Sequence, residues 1–296
     1  MVIMNEITIG ILLGVLGAML GSFAGAQVWR LRARQLVDDK KLGNKVDKAE
    51  YKRLLPLTKS SLLKDRSIDL DTGKVLPWYD LIPVVSWLLL RGKSRYSGKP
   101  IGYFEFVIEV GLAIFFVGSF IFWPQPLDSI ISVAQFSIWL IAGLILAVQF
   151  ALDFKWKFLW SSLSYAVIGL GLIYVVLAVV GSADRLTAAY SAVGSVLILG
   201  GLYYALYAIS RERWVGLGDV FLGIGLGLLL ADWRLALIAL FMANLIGCIV
   251  VIPGMIMKKI GRHQQVPFGP FFILGAIVAQ LWGVPILDFY FSLLLI

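Results

Sequence analysis

Long apolar runs separated by shorter polar segments make up most of the chain. Eight of these runs are close to the length of about 20 residues that a helix needs to cross a bilayer. The pattern therefore predicts an all-α polytopic membrane protein of about eight transmembrane helices with a polar loop domain. The predicted spans are residues 7–29, 104–123, 128–151, 158–180, 186–209, 216–231, 235–257 and 267–291.

The sixth predicted span differs from the others because it is short and rich in glycine. We expect it to be tilted, or broken near Gly216-Leu217-Gly218-Asp219. Composition agrees with a membrane protein: 60% of the residues are hydrophobic, 15% are charged and the mean hydropathy is +0.89. Soluble globular domains contain far more charge and less apolar sequence.

The basic residues are distributed unevenly around the predicted spans. Segment 30–103 carries 17 of the 26 Lys and Arg residues, and only Arg185 and Arg234 fall on the opposite side. The positive-inside rule then places segment 30–103 in the cytoplasm and both termini outside. The predicted organisation is a first transmembrane helix (1–29), a cytoplasmic loop domain (30–103) and a membrane core of seven helices (104–296). The net charge of +8 reflects this topology and contact with anionic lipid, so no nucleic-acid partner is expected.

Cysteine and histidine are each present once, which limits the available chemistry. Cys248 is expected in the core of a span, and His263 in a basic loop. A cysteine nucleophile, a Ser-His-Asp triad and a Cys/His zinc site all lack the residues they require. Carboxylates, hydroxyls, lysines and the backbone remain as candidate catalytic groups.

Two aspartates lie at the ends of predicted spans, on the predicted cytoplasmic side. Asp153 is expected to open the loop after the third span, and Asp219 to start the sixth span. Ionisable groups at such positions are costly and often functional, although each has a purely structural alternative as a helix-end charge. Gly216 and Gly218 would allow a backbone to approach Asp219 closely. Two carboxylates that meet in a site of low dielectric can share one proton, as in aspartyl proteases.

The segment Gly216–Asp219, with Asp153 upstream, resembles the catalytic pair of the type IV prepilin peptidases, which are GxGD intramembrane aspartyl proteases. Other segments resemble this family in the same order along the chain. They are Gly21-Ser22-Phe23, the stretch from Trp78 to Gly92, Gly98-Lys99-Pro100-Ile101 with Glu109 after it, and Val266-Pro267-Phe268-Gly269-Pro270-Phe271.

The resemblance implies an activity, a location and partners. It implies cleavage of the basic leader of prepilins or pseudopilins at the cytoplasmic face of the bacterial inner membrane, by Asp153 and Asp219 without a cofactor. The implied partners are these substrates, the lipid bilayer and the assembly machinery of a pilus or a type II secretion system. Many family members also methylate the new N-terminus with S-adenosylmethionine. Glu109 and Asp80 are the candidate residues for that loop site.

Several positions depart from the family pattern. The family's two zinc-binding CxxC pairs correspond here to Asp69, Thr72, Ser94 and Ser97, so we expect no metal site, and retention of methylation is left open. Phe221 replaces a usual Lys, and Leu159-Trp160-Ser161 replaces a segment that contains proline. Two alternatives therefore stay open: a non-catalytic scaffold descended from the peptidase, or a proton-coupled transporter. The transporter is disfavoured because the chain shows no clear internal repeat.

Overall fold

The computed structural model describes residues 2–59, 66–259, 261 and 266–294, and most of these residues are helical. Within them, β-structure is limited to two isolated bridges, Ile68–Val75 and Lys93–Pro100. The predicted all-α class is confirmed. The helices are α1 (Val2–Lys41), α2 (Lys48–Leu54), α3 (Val85–Leu89), α4 (Phe104–Ile121), α5 (Ile130–Trp156), α6 (Ser161–Gly181), α7 (Arg185–Val196), α8 (Leu202–Ser210), α9 (Leu217–Leu230), α10 (Trp233–Ile256) and α11 (Gly269–Leu294); short 3₁₀ segments cover Leu55–Lys59 and Trp78–Leu81, and a π-helical turn covers Leu197–Gly201.

Seven helical segments in the described ranges are long and apolar enough to cross a membrane. One of them is continuous from α7 through the π-helical turn to α8. The predicted multi-pass membrane protein is therefore confirmed. The remaining predicted span is α9, which has only 14 residues. At 1.5 Å per residue it measures about 21 Å, well short of the roughly 30 Å hydrocarbon core.

Helix α9 can be short because protein surrounds it. All of its residues from Leu222 to Leu230 are buried except Ile224, which is partly buried. A Cβ atom on Gly223 would lie 2.5 Å from the Leu199 carbonyl oxygen, and one on Gly227 would lie 2.9 Å from that of Ser195. These glycines let neighbouring backbones pack directly against α9, as small residues do between membrane helices. A helix enclosed in this way does not need to match the thickness of the bilayer.

The chain forms two compact units, Met1–Phe120 and Ile121–Ile296. In the first unit, α1 continues beyond its apolar part into the polar segment that follows. There Arg32 forms a bidentate ion pair with Glu50 of α2, with distances of 2.6 and 3.1 Å. A small apolar cluster of Ala33, Leu36, Leu54 and Leu57 holds these elements together. The boundaries predicted at residues 29/30 and 103/104 describe membrane topology and stay a prediction.

The structure places the single cysteine but not the single histidine. Cys248 lies on α10 and is exposed, so the expectation that it belongs to the core is wrong. An exposed apolar face on a spanning helix is what contact with lipid requires. His263 lies outside the described residues.

Candidate active site

Asp153 lies in the last turn of α5, and only 6% of the residue is exposed. The expectation that it opens a loop is wrong, because the helix continues to Trp156. It ends at Lys157, which adopts the left-handed conformation (φ 55°) and donates its N–H to the Asp153 carbonyl oxygen at 2.8 Å. This single residue after Trp156 terminates the helix and leaves the Asp153 side chain within the folded unit.

The carboxylate of Asp153 is held by the start of α11. The N–H of Gly269, the first residue of that helix, donates to Asp153 Oδ2 at 3.0 Å. The first N–H groups of a helix have no partner inside it and carry partial positive charge, so a carboxylate is favoured there. The next residue, Pro270, has no N–H to offer. Asp153 thus connects α5 to a helix that begins 116 residues further along the chain.

Asp219 lies in the first turn of α9, as predicted, and is partly exposed. Gly216 precedes the helix in an extended conformation and donates its N–H to Asp219 Oδ2 at 3.2 Å. This contact is the half of a capping box in which the third residue reaches back to the cap. Like Asp153, Asp219 is therefore oriented by a backbone N–H at the start of a helix.

The structure brings the two carboxyl groups close enough to interact electrostatically. Leu159, in the connection after α5, contacts two glycines. One is Gly218, which precedes Asp219 in the sequence, and the other is Gly269, whose N–H binds Asp153. A Cβ atom on Gly218 would be 3.1 Å from Leu159 Cβ, and one on Gly269 would be 3.5 Å from Leu159 Cδ2. Glycine on both sides of Leu159 allows the ends of these elements to converge around the aspartate pair.

An aromatic group lines the site beside Asp219. The Tyr203 ring of α8 stacks on Phe272 with centroids 4.7 Å apart and lies 5.5 Å from the Phe268 ring. Tyr203 is buried and interacts electrostatically with Asp219. No sequence pattern indicated Tyr203. Phe268 lies in a segment matched to the family but had no predicted role.

The positions that depart from the family pattern have structural partners of their own. The Phe221 ring meets Tyr165 edge to face, with centroids 5.1 Å apart. The connection between α5 and α6, which lacks the family's proline, is tied by the fully buried Gln149. Its Oε1 accepts from the Trp160 N–H at 2.9 Å, and its Nε2 donates to Ser164 Oγ at 2.8 Å. These contacts hold Phe221 and the connection between α5 and α6 in place.

The candidate loop-site residues, Glu109 and Asp80, belong to the first unit. Glu109 Oε2 accepts from the Val84 N–H at 2.7 Å, where Val84 adopts a positive φ of 62°. Asp80 pairs with the guanidinium of Arg95 at 2.8 Å. Among the described residues no hydrogen bond joins Asp80 to Glu109, and each carboxylate has a structural partner. A part for Glu109 and Asp80 in a site for S-adenosylmethionine stays a prediction.

Comparison with known proteins gives a consistent result. Residues 15–123 match the family described as Bacterial Peptidase A24 N-terminal domain. The chain is 28% identical over 286 residues to the Prepilin leader peptidase/N-methyltransferase of Xanthomonas campestris pv. campestris, covering 93% of this chain and 92% of that protein. It is 29% identical over 269 residues to the Type 4 prepilin-like proteins leader peptide-processing enzyme of Escherichia coli O78:H11, covering 88% and 89%. The Prepilin leader peptidase/N-methyltransferase of Aeromonas hydrophila is 26% identical over 211 residues, covering 71% and 69%. No solved structure matches the chain.

The spanning helices define the class, a multi-pass membrane protein, and residues 15–123 are similar to the bacterial A24 peptidase N-terminal domain. The similarities extend over nearly the whole chain and agree with the motif resemblance. At 26–29% identity, the chain is similar to the prepilin leader peptidase/N-methyltransferases and the related leader peptide-processing enzyme.

Proposed function

We propose that the chain is an aspartyl endopeptidase of the inner membrane that removes the basic leader of prepilins or pseudopilins. The observation that carries the proposal is the convergence of Asp153 and Asp219, which come from different helices, around Leu159 and the N–H groups of Gly269 and Gly216. The names of the relatives supply the substrate class.

The proposed chemistry is acid–base attack by water. One carboxylate, ionised, accepts a proton from a water molecule whose oxygen bonds to the scissile carbonyl carbon. The other, protonated, donates to the carbonyl oxygen. Collapse of the tetrahedral intermediate breaks the C–N bond, and the departing nitrogen receives a proton. Because two such groups titrate as a unit, we assign neither role to one residue.

The surroundings of the pair support this chemistry. Each carboxylate has one oxygen fixed by a backbone N–H, from Gly269 and Gly216. Asp153 is buried whereas Asp219 is partly exposed, so the pair lies between the protein interior and an accessible side. Fixed, partly dehydrated groups are what catalysis by positioning requires.

The proposed orientation places segment 30–103 and the aspartate pair on the cytoplasmic side. The basic residues of segment 30–103 support this orientation through the positive-inside rule. Protease added to inverted inner-membrane vesicles should cut within this segment, and protease added to spheroplasts should not. The reverse pattern would contradict the orientation.

The test is cleavage of a purified prepilin by the protein in detergent or liposomes, followed by mass spectrometry of the product. Asp153→Asn and Asp219→Asn preserve side-chain shape and should each lower the cleavage rate at least about 10²-fold. Asp288→Asn, at an exposed position on α11, is the matched control and should cleave normally. Full activity in either site variant would refute the paired mechanism, and an inactive but folded wild-type protein would favour the scaffold alternative.

N-methylation, the second activity in the relatives' names, stays a prediction for this chain. Incubating the protein with a cleaved pilin and S-adenosylmethionine labelled in its methyl group tests it directly. Transfer of label to the pilin N-terminus would support the activity. Efficient cleavage without any transfer would exclude it.

A further inference from the structure

Two turns in the loop of the first unit have the same backbone design. In the first, the N–H of Asp69 donates to the carbonyl oxygen of Lys74 at 2.8 Å, and in the second the N–H of Ser94 donates to that of Lys99 at 2.8 Å. Each turn contains a glycine just before its lysine with φ near +70°. The two isolated β-bridges, Ile68–Val75 and Lys93–Pro100, close these turns.

The first side chain of each turn organises the backbone in the same way. Asp69 Oδ1 accepts from the N–H groups two and three residues later, at 3.0 and 2.7 Å. Ser94 Oγ accepts from the N–H groups two and three residues later, both at 3.2 Å. A direct hydrogen bond then joins the turns, because the Ser94 hydroxyl donates to Asp69 Oδ2. Asp69 is 8% exposed and Ser94 is partly buried, so this bond is partly shielded from water.

The residues present do not fit the zinc ion that binds here in the family. A structural zinc site takes four thiolate or imidazole ligands. The corresponding positions hold one carboxylate and three hydroxyls, in Asp69, Thr72, Ser94 and Ser97. Both oxygens of the carboxylate already accept hydrogen bonds. Among the described residues no group of three or more His, Cys, Asp or Glu could hold a metal ion.

We propose that the Asp69–Ser94 hydrogen bond closes this pair of turns in place of a metal, so that the loop domain folds without zinc. An ionised carboxylate suits this role because it only accepts hydrogen bonds, and every group facing it donates one. Its donors are two backbone N–H groups and the hydroxyls of Thr72 and Ser94. Bonds to an ionised acceptor are also stronger than bonds between neutral groups.

The first test measures metal content and the resistance of the loop to proteolysis. The purified full-length protein should contain well under one zinc ion per chain, and EDTA should leave the rate of proteolysis within residues 66–103 unchanged. Ser94→Ala removes the bond between the turns together with the two contacts that Ser94 Oγ accepts within its own turn. It should raise that rate at least about tenfold, the factor that one hydrogen bond of ordinary strength provides. Ser97→Ala is the matched control, because its hydroxyl accepts only a 3.4 Å contact from the Lys99 N–H.

Three results would overturn the proposal. They are stoichiometric zinc in the wild-type protein, faster proteolysis after chelation, or equal rates for Ser94→Ala and Ser97→Ala. None of these readouts depends on peptidase activity, so the proposal can fail or hold independently of the proposed function.

A second variant tests whether the turns are equivalent to metal-binding turns. Combining Asp69→Cys, Thr72→Cys, Ser94→Cys and Ser97→Cys should create a chain that binds one zinc ion and becomes sensitive to EDTA in the same proteolysis assay. Expression in medium supplemented with zinc allows the variant to fold with its metal. A folded variant that binds no zinc would contradict the proposed equivalence.

Discussion

Replacing Gly269 with alanine is expected to disable the site while leaving the fold largely intact. A Cβ atom at this position would lie 2.7 Å from Asp153 Oδ2 and 3.3 Å from its Cγ. Contacts below 3.0 Å are essentially never seen for a real Cβ atom, so the carboxylate or the start of α11 must move. Both movements disturb the 3.0 Å hydrogen bond between the Gly269 N–H and Asp153.

The required displacement sets the size of the effect. Ordinary van der Waals contact begins at 3.4 Å, so the carboxylate must move by several tenths of an ångström away from the added methyl group. Misplacing a reacting group by about 1 Å can cost roughly 10²-fold in rate. We therefore expect the cleavage rate of Gly269→Ala to fall by about 10- to 100-fold. Loss of the hydrogen bond alone should cost about 1–3 kcal/mol in stability.

The assay is prepilin cleavage at saturating substrate, with thermal unfolding in detergent as the measure of folding. Gly169→Ala is the control, because a Cβ atom at this helical position on α6 meets nothing within 4 Å. It should match the wild type in both measurements. Wild-type cleavage by Gly269→Ala would refute the claim that the contact with Gly269 fixes the position of Asp153.

Two other predictions concern stability. Gly223→Ala would place a Cβ atom 2.5 Å from the Leu199 carbonyl oxygen. Such overpacking lowers the free energy of unfolding by about 1–3 kcal/mol. A melting temperature equal to that of Gly169→Ala would contradict the close packing of α9. The second concerns pH: burial tends to raise the pKa of Asp69, but hydrogen bonds, led by that from Ser94, hold the pKa below its ordinary value of 3.8. The stabilisation by ionised Asp69 is therefore complete above pH 3.8 and is lost as the pH falls through the lower folded-state pKa. Proteolysis of the loop should accelerate in that acidic range in the wild type, and an equal acid response in Asp69→Asn would contradict the assignment.

Hydropathy predicted which segments are apolar enough to span a membrane, but it could not predict where the helices end. The first span was expected to finish at residue 29, yet α1 continues to Lys41. Charged residues such as Arg30 and Arg32 end a membrane span, but arginine favours a helix nearly as strongly as leucine does. The same distinction explains why α5 continues past Asp153 to Trp156. Polarity therefore marks the boundary of a membrane span, whereas a residue such as Lys157, in the left-handed conformation, marks the boundary of a helix.

The aspartate pair could be proposed from the sequence because catalytic alternatives were scarce and the glycine motif stood beside one of them. The groups that hold the aspartates could not be found in this way, because a backbone N–H donor has no signature in sequence. Gly216 and Gly269 supply such donors at the starts of α9 and α11, and neither aspartate is hydrogen-bonded to a Lys or Arg side chain in the described part of the chain. This distinction matters for the proposed chemistry. A cation bound to each carboxylate would strongly favour the charged form of both, whereas a single N–H donor favours it less, orients the group and leaves the second oxygen able to share a proton with its partner.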